Sequence, residues 1–299
     1  LPGHQRYKIL QAYAITADGQ RQEPSSVRGG EIRFQKLGPG SSTVLQYRME
    51  EPPNVYLNGS YYNSWIFQSP QVFNQNSRFI FWVPVGTPLN LFSRGDIAKI
   101  QETRGAYERY EWARENNAPY IGEPQSPPFR DSVAVLSLST LPGWEAFFKW
   151  EVAILKNAFQ TNDEIEALAK KLFEGAPNAM EKLLRLQVFI QEEIRYQMDY
   201  EEPIAGVKPH AAPLVLARRY GDCKDKAVLF ITLAKLAGID AHFALLRTRD
   251  QGAIDQDVPS QQFNHVIVYI PAQDGLAEGR FFDPTADALD AHVLRPDDA

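Results

Sequence analysis

The chain has 299 residues, 44% hydrophobic and 23% charged, with a formal net charge of −6; this is globular composition with room for one large or two medium domains. Lysine and arginine form no block or stripe, so nucleic acid and anionic membrane are not expected partners. One cysteine excludes an internal disulfide and a cysteine-rich metal site, and no apolar run approaches the roughly 20 residues that span a bilayer.

The chain begins at Leu1 rather than Met, which suggests a processed or trimmed product, with signal-peptide removal as one source. Residues 1 to about 115 read as β-structure. Arg6 to Tyr13 is strand-like and ends at an Asp18-Gly19 turn. Glu31 to Gln35 alternates strictly, Thr43 to Arg48 is rich in β-formers, and Arg78 to Val83 is an apolar run closed by Pro84. Asn58-Gly59-Ser60 matches a glycosylation triplet but reads better as a turn. Short strands with no amphipathic helix between them predict an antiparallel sandwich. From Asn116 to Pro142 the chain carries Pro119, Pro124, Pro127, Pro128 and Pro142. This connector sets the expected boundary, with an antiparallel β-domain over 1–142 and a second domain over 143–299. Val133 to Leu136 is expected to pair as an edge strand.

The second domain opens with helices. Thr161 to Glu164 and Asn178 to Glu181 read as capping boxes, each followed by apolar residues at helical spacing. A third helix is predicted behind Tyr220-Gly221-Asp222-Cys223-Lys224-Asp225, with Asp222 as N-cap, Asp225 in the reciprocal position and Gly238 as the stop. After Gly238 the period changes to two, and 241–248, 263–270 and 280–282 read as strands. The class is therefore α+β.

The only cysteine falls in the first turn of that third helix, where the peptide dipoles favour thiolate, the form that attacks carbonyls. Nucleophilic thiol catalysis also needs a base and a group that orients the base. His265 interrupts an apolar-aromatic strand, and Asp283 ends the next one. Adjacent antiparallel strands can bring the two together. Each alone reads more simply, His265 as a structural strand residue and Asp283 as a turn former before Pro284. Together, behind Cys223, they form a candidate catalytic triad. An oxyanion hole would draw on the Cys223 N–H and an upstream side chain; Tyr196 and Gln197 are the candidates, with Tyr200 and His210 behind them. His4, His210, His242, His265 and His292 lack metal-ligand spacing and no glycine-rich phosphate loop is present, so neither metal nor cofactor is expected.

In Tyr220-Gly221-Asp222-Cys223-Lys224-Asp225-Lys226-Ala227, Asn264-His265 and Asp283-Pro284-Thr285 the chain resembles the transglutaminase-like superfamily. Ile194-Arg195-Tyr196, Pro209-His210-Ala211, Trp65 to Pro84 and Leu141 to Trp150 resemble its bacterial branch, in which an N-terminal β-domain precedes the thiol domain. The resemblance implies Cys223 as nucleophile, His265 as base and Asp283 as orienter, on a papain-like core without cofactor, in an extracytoplasmic, often periplasmic, bacterial setting. A cytoplasmic location is the alternative. Family members often continue into a further β-segment, so the chain is expected to be a fragment. The expected activity is acyl transfer, by amide hydrolysis or transamidation, on a peptide or protein. The alternative is a non-catalytic peptide-binding module on the same scaffold, with the rings of Tyr56, Tyr61, Tyr62, Trp65 and Phe67 as a docking surface.

Overall fold

In a computed structural model of the chain, the described residues are 6–28, 30–50, 57, 59–198, 207–286 and 293–298. Tyr56, Asn58, Tyr200, His4 and His292, named above, lie outside them. Two compact units are present, residues 1–53 and 54–299. The division falls inside the stretch expected as one β-domain, and the expected boundary near residue 142 lies within the second unit.

In the first unit β1 (Arg6–Ile15) pairs antiparallel with β5 (Ser42–Glu50) and, at its end, with β2 (Arg21–Gln22). The Asp18-Gly19 turn between β1 and β2 forms as expected, with Gly19 at φ +83°, a conformation glycine adopts without strain. The strictly alternating 31–35 segment forms only β4 (Glu31–Arg33), paired with β3 (Ser26–Arg28).

The second unit begins with six strands in two antiparallel sheets. β7 (Asn74–Pro84), β10 (Tyr107–Asn117) and β9 (Ala98–Arg104) form one; β6 (Tyr62–Ile66), β11 (Val135–Ser139) and β8 (Asn90–Arg94) form the other. Phe67, Trp112, Ala134, Leu136 and Leu138 form one buried cluster with Phe79 and Phe81 packed against it. The aromatic load of this region is absorbed only in part: Tyr61 stacks on Phe81 and Trp65 leans on Phe79, each pair 5.5 Å between ring centres, while Tyr61, Tyr62, Trp65, Phe73 and Trp82 keep exposed faces. The strand expected at an edge is instead central. All five residues of β11 are buried, because none is charged and both of its edges are paired. The proline-rich segment around it also holds α1 (Phe129–Ser132). Arg130 of α1 bonds the buried Asp255 carboxylate and the Ser137 hydroxyl, and Asp131 accepts the Ala253 N–H at 2.9 Å. The sheets are therefore tied to the loop that precedes the His265 strand.

Helices follow: α2 (Trp144–Leu155), α3 (Asp163–Phe173), α4 (Ala179–Glu193), α5 (Ala212–Arg218) and α6 (Cys223–Leu236). α3 is capped by Asn162 rather than Thr161, its carboxamide oxygen accepting the Ile165 N–H at 3.0 Å; Asn178 caps α4 the same way at 2.9 Å. Two short strands, β12 (Arg195–Tyr196) and β13 (Tyr220–Gly221), pair in parallel. Every residue of α6 from Lys224 to Ala234 is buried: its charged first turn is enclosed, and the largely apolar run from Ala227 onward sits at the centre of a core. α3, α4 and α5 touch it, and so does an antiparallel sheet of β14 (His242–Leu246), β15 (His265–Ile270) and β16 (Arg280–Phe282). Among the described residues no helix is long and apolar enough to cross a membrane.

Candidate active site

Cys223 is the first residue of α6 and is half-buried. The turn that presents it is built from charged side chains withdrawn from solvent. Asp222 is the N-cap and binds the Lys224 ammonium, both nearly fully buried. Asp225 accepts the Asp222 N–H at 3.4 Å, the reciprocal half of the capping box, and the His210 N–H at 2.8 Å. Asp225 is therefore a buried hub of this turn. Gly221 is required here for space: a Cβ on it would lie 2.5 Å from the Asp225 Cβ.

His265 begins β15 and Asp283 directly follows β16. The register pairs Val268 with Phe282, so continuing it would set residue 285 opposite His265. Asp283 lies two residues from that position, on the same face of the sheet, and reaches the imidazole on the diagonal. His265 Nε2 is 3.3 Å from Asp283 Oδ2, with both residues buried. The Cys223 side chain lies near enough to the imidazole to raise its pKa. The three residues in chain order Cys223, His265, Asp283 thus meet in space, across the junction of the central helix and the sheet.

Asp283 serves as turn former and partner at once. Its Oδ1 accepts the Thr285 N–H at 2.8 Å and hydroxyl at 2.7 Å, while its Oδ2 faces the ring. Gln187 of α4 donates to the Asp283 carbonyl at 2.6 Å. Burial opposes charge on His265, but the hydrogen bonds and negative charges of Asp283 and Cys223 outweigh it and raise its pKa to about 9. Burial likewise disfavours the Asp283 carboxylate, yet His265 and Thr285 hold it well below its usual range.

The transglutaminase-like superfamily model matches residues 166–283, from α3 to Asp283, and so contains all three residues. Residues 166–283 are a transglutaminase-like domain. No curated protein matches the sequence. The crystal structure of a candidate protease from Parabacteroides distasonis ATCC 8503 shares the fold over 94% of this chain, with a TM-score of 0.72 and 19% identity. This chain spans 57% of that one. A candidate cysteine protease from Cytophaga hutchinsonii superposes more loosely, with a TM-score of 0.33 and 15% identity over 76% of this chain and 74% of its own. The periplasmic domain of TgpA from Pseudomonas aeruginosa gives 0.31 and 13% over 74% and 75%.

The short β12–β13 ladder carries Tyr196 to the thiol of the transglutaminase-like domain. Tyr196 pairs with Gly221, and the Gln197 N–H donates to the Gly221 carbonyl at 3.0 Å. Burial, then the negative charges of Cys223 and Asp222, push the Tyr196 hydroxyl up to about 12, so it keeps its proton and can donate it. That hydroxyl lies 3.5 Å from the Met198 sulfur. The Gln197 carboxamide oxygen accepts from Arg195. His210, a loop residue before α5, has Nδ1 3.2 Å from Asp225 Oδ2.

Arg295 and Asp298 also belong to the site, and sequence reading missed both. Arg295 Nε is 3.1 Å from Asp283 Oδ2, and its Nη2 is 2.6 Å from His265 Nε2. Asp298 holds the same guanidinium at 3.0 and 3.2 Å, and the Arg249 N–H fixes the segment through the Asp297 carbonyl at 2.9 Å. His265, Asp283 and Asp298 offer ligand atoms within 4.8 Å of one another. Arg295 bonds all three, so its positive charge takes the place that a cation would hold. No motif flags an arginine so far along the chain from its histidine, and only the tertiary path of the segment 293–298 reveals it.

Proposed function

We propose that the protein is a cysteine acyl-transfer enzyme acting on an amide of a peptide or protein. Cys223 attacks the carbonyl carbon, His265 carries the thiol proton to the departing amine, and Asp283 holds the ring in register. A thioester on Cys223 forms as the carbon–nitrogen bond breaks. Water then completes hydrolysis, or a second amine completes transamidation. The Cys223 N–H and the protonated Tyr196 hydroxyl are the proposed oxyanion donors, with Gln197 beside them. The reading rests on one observation, the convergence of half-buried Cys223 on the buried His265–Asp283 pair, whose contact is 3.3 Å and whose imidazole the thiol helps to raise. An extracytoplasmic bacterial setting, and a front β-domain that precedes a separate thiol domain at about residue 142, are part of the same proposal and rest on the sequence motifs.

The test is acylation by p-nitrophenyl acetate, read by intact mass. Wild type should show a nitrophenol burst and one acetyl group, absent in Cys223→Ala and much slower in His265→Ala. Acetylation of wild type no faster than that of free cysteine at the same pH would sink the reading.

A further inference from the structure

Glu151 of α2 is 4% exposed, and neither of its carboxylate oxygens has a hydrogen-bond partner among the described residues. A buried carboxylate without donors is costly, and most are paired. Burial alone raises its pKa to about 7. Glu151 lines two neighbouring spaces. One is an apolar cleft of about 470 Å³ whose walls include Phe148, Phe159, Phe243 and Phe263. The other is a chamber of about 60 Å³ lined by Gln261, Lys224 and His265. Glu151, Phe243, Leu245 and Phe263 are common to both. The Gln261 carboxamide oxygen is likewise buried without a partner among the described residues.

The chamber beside His265 thus has three acceptor atoms to which no described residue donates. Of the lysines on these walls, Lys224 is bonded to Asp222, Lys235 sits 4.9 Å over the Phe159 ring, and Lys156 lines the cleft without bonding Glu151. We propose that the cleft and chamber form a substrate subsite for an aliphatic chain ending in an ammonium or guanidinium group, received by Glu151 and Gln261. The apolar walls hold the chain, and the two acceptors supply what its donor-rich head needs. Because the chamber ends at His265, the subsite sets which residue of the substrate lies next to the reacting amide. The assignment of a substrate to this cavity rests on the proposed acyl-transfer reading.

The probe is n-butylammonium, with n-butanol as its neutral counterpart. Thermal shift and calorimetry on the full chain should show butylammonium stabilising wild type more than butanol does. In Glu151→Gln, which removes the unpaired charge while keeping the shape, butylammonium affinity should fall about tenfold or more. Gln261→Leu should weaken it less. Iodoacetamide labelling of Cys223 is followed in parallel, since it reports on the thiol and not on the subsite. Equal response to the ammonium and the alcohol, or an undiminished response in Glu151→Gln, overturns the subsite even if Cys223 labels normally. Normal ammonium binding beside an unreactive Cys223 supports the subsite and counts against the acyl-transfer reading instead.

Discussion

Arg295 reaches past Asp283 to the imidazole of His265, with its Nη2 2.6 Å from Nε2. A guanidinium only donates, so this contact requires a bare lone pair on Nε2. The bond from Nε2 to Asp283 requires a proton on that same atom. The two contacts are alternatives, and the ring's charge selects between them. A charged or Nε2–H ring turns to Asp283 and leaves Arg295 to Asp283 and Asp298. A ring protonated only on Nδ1 accepts from Arg295 and cannot take the Cys223 proton on that nitrogen.

Arg295→Gln should therefore favour the charged ring. The His265 titration, followed by NMR of the imidazole, should move upward by about one pH unit, the size expected on removing a nearby cation. An unchanged or lowered midpoint would show that Arg295 does not govern the ring.

Asp283 is the main group that raises His265. A histidine raised from 6.5 to about 9 contributes stability that is fully present below 6.5 and lost as pH rises through 9. The displacement corresponds to roughly 3 kcal/mol. Asp283→Asn should bring the midpoint back toward 6.5 and flatten the fall in stability between pH 6 and 10, measured by urea denaturation. Asp283→Ala should do the same and lose the Thr285 bonds as well, so it should be the less stable variant and, on any acylating substrate, the slower one. A stability profile identical to wild type in both variants would leave Asp283 as a turn residue only.

Gly221→Ala places a methyl group against Asp225 at 2.5 Å. The first turn of α6 has to shift, and with it Cys223 and the His210 loop. The expected outcome is a loss of about 1–3 kcal/mol, the usual cost of overpacking a tight site, and slower alkylation of Cys223. The Gly238→Ala change makes the comparison. Its Cβ meets nothing, so its cost comes only from the positive φ at the helix end, and the thiol should label at the wild-type rate.

The first turn of α6 was legible in the chain because its signals are local. Asp222 and Asp225 sit at capping positions, an apolar run follows, and Gly238 closes it. The pairing of His265 with Asp283 was half-legible: alternation predicts two strands next to each other in the chain, which can bring the two residues side by side. Their diagonal contact, however, depends on a register that only strand pairing decides. The run Val133 to Leu136, which overlaps the strand Val135–Ser139, reads as an edge because a short uncharged run carries no mark of how many neighbours it has. What tertiary structure alone decided is the electrostatics of the site. Glu151 comes from α2, far ahead of Cys223 in the chain, and Arg295 from the segment near the chain's end, equally far behind it. Neither has a local reason to be near a thiol. A sequence records the residue types that catalysis needs and the periods that form helices and strands. Desolvation and Coulomb forces act through space, so which charges face His265 is settled only when the core closes around it.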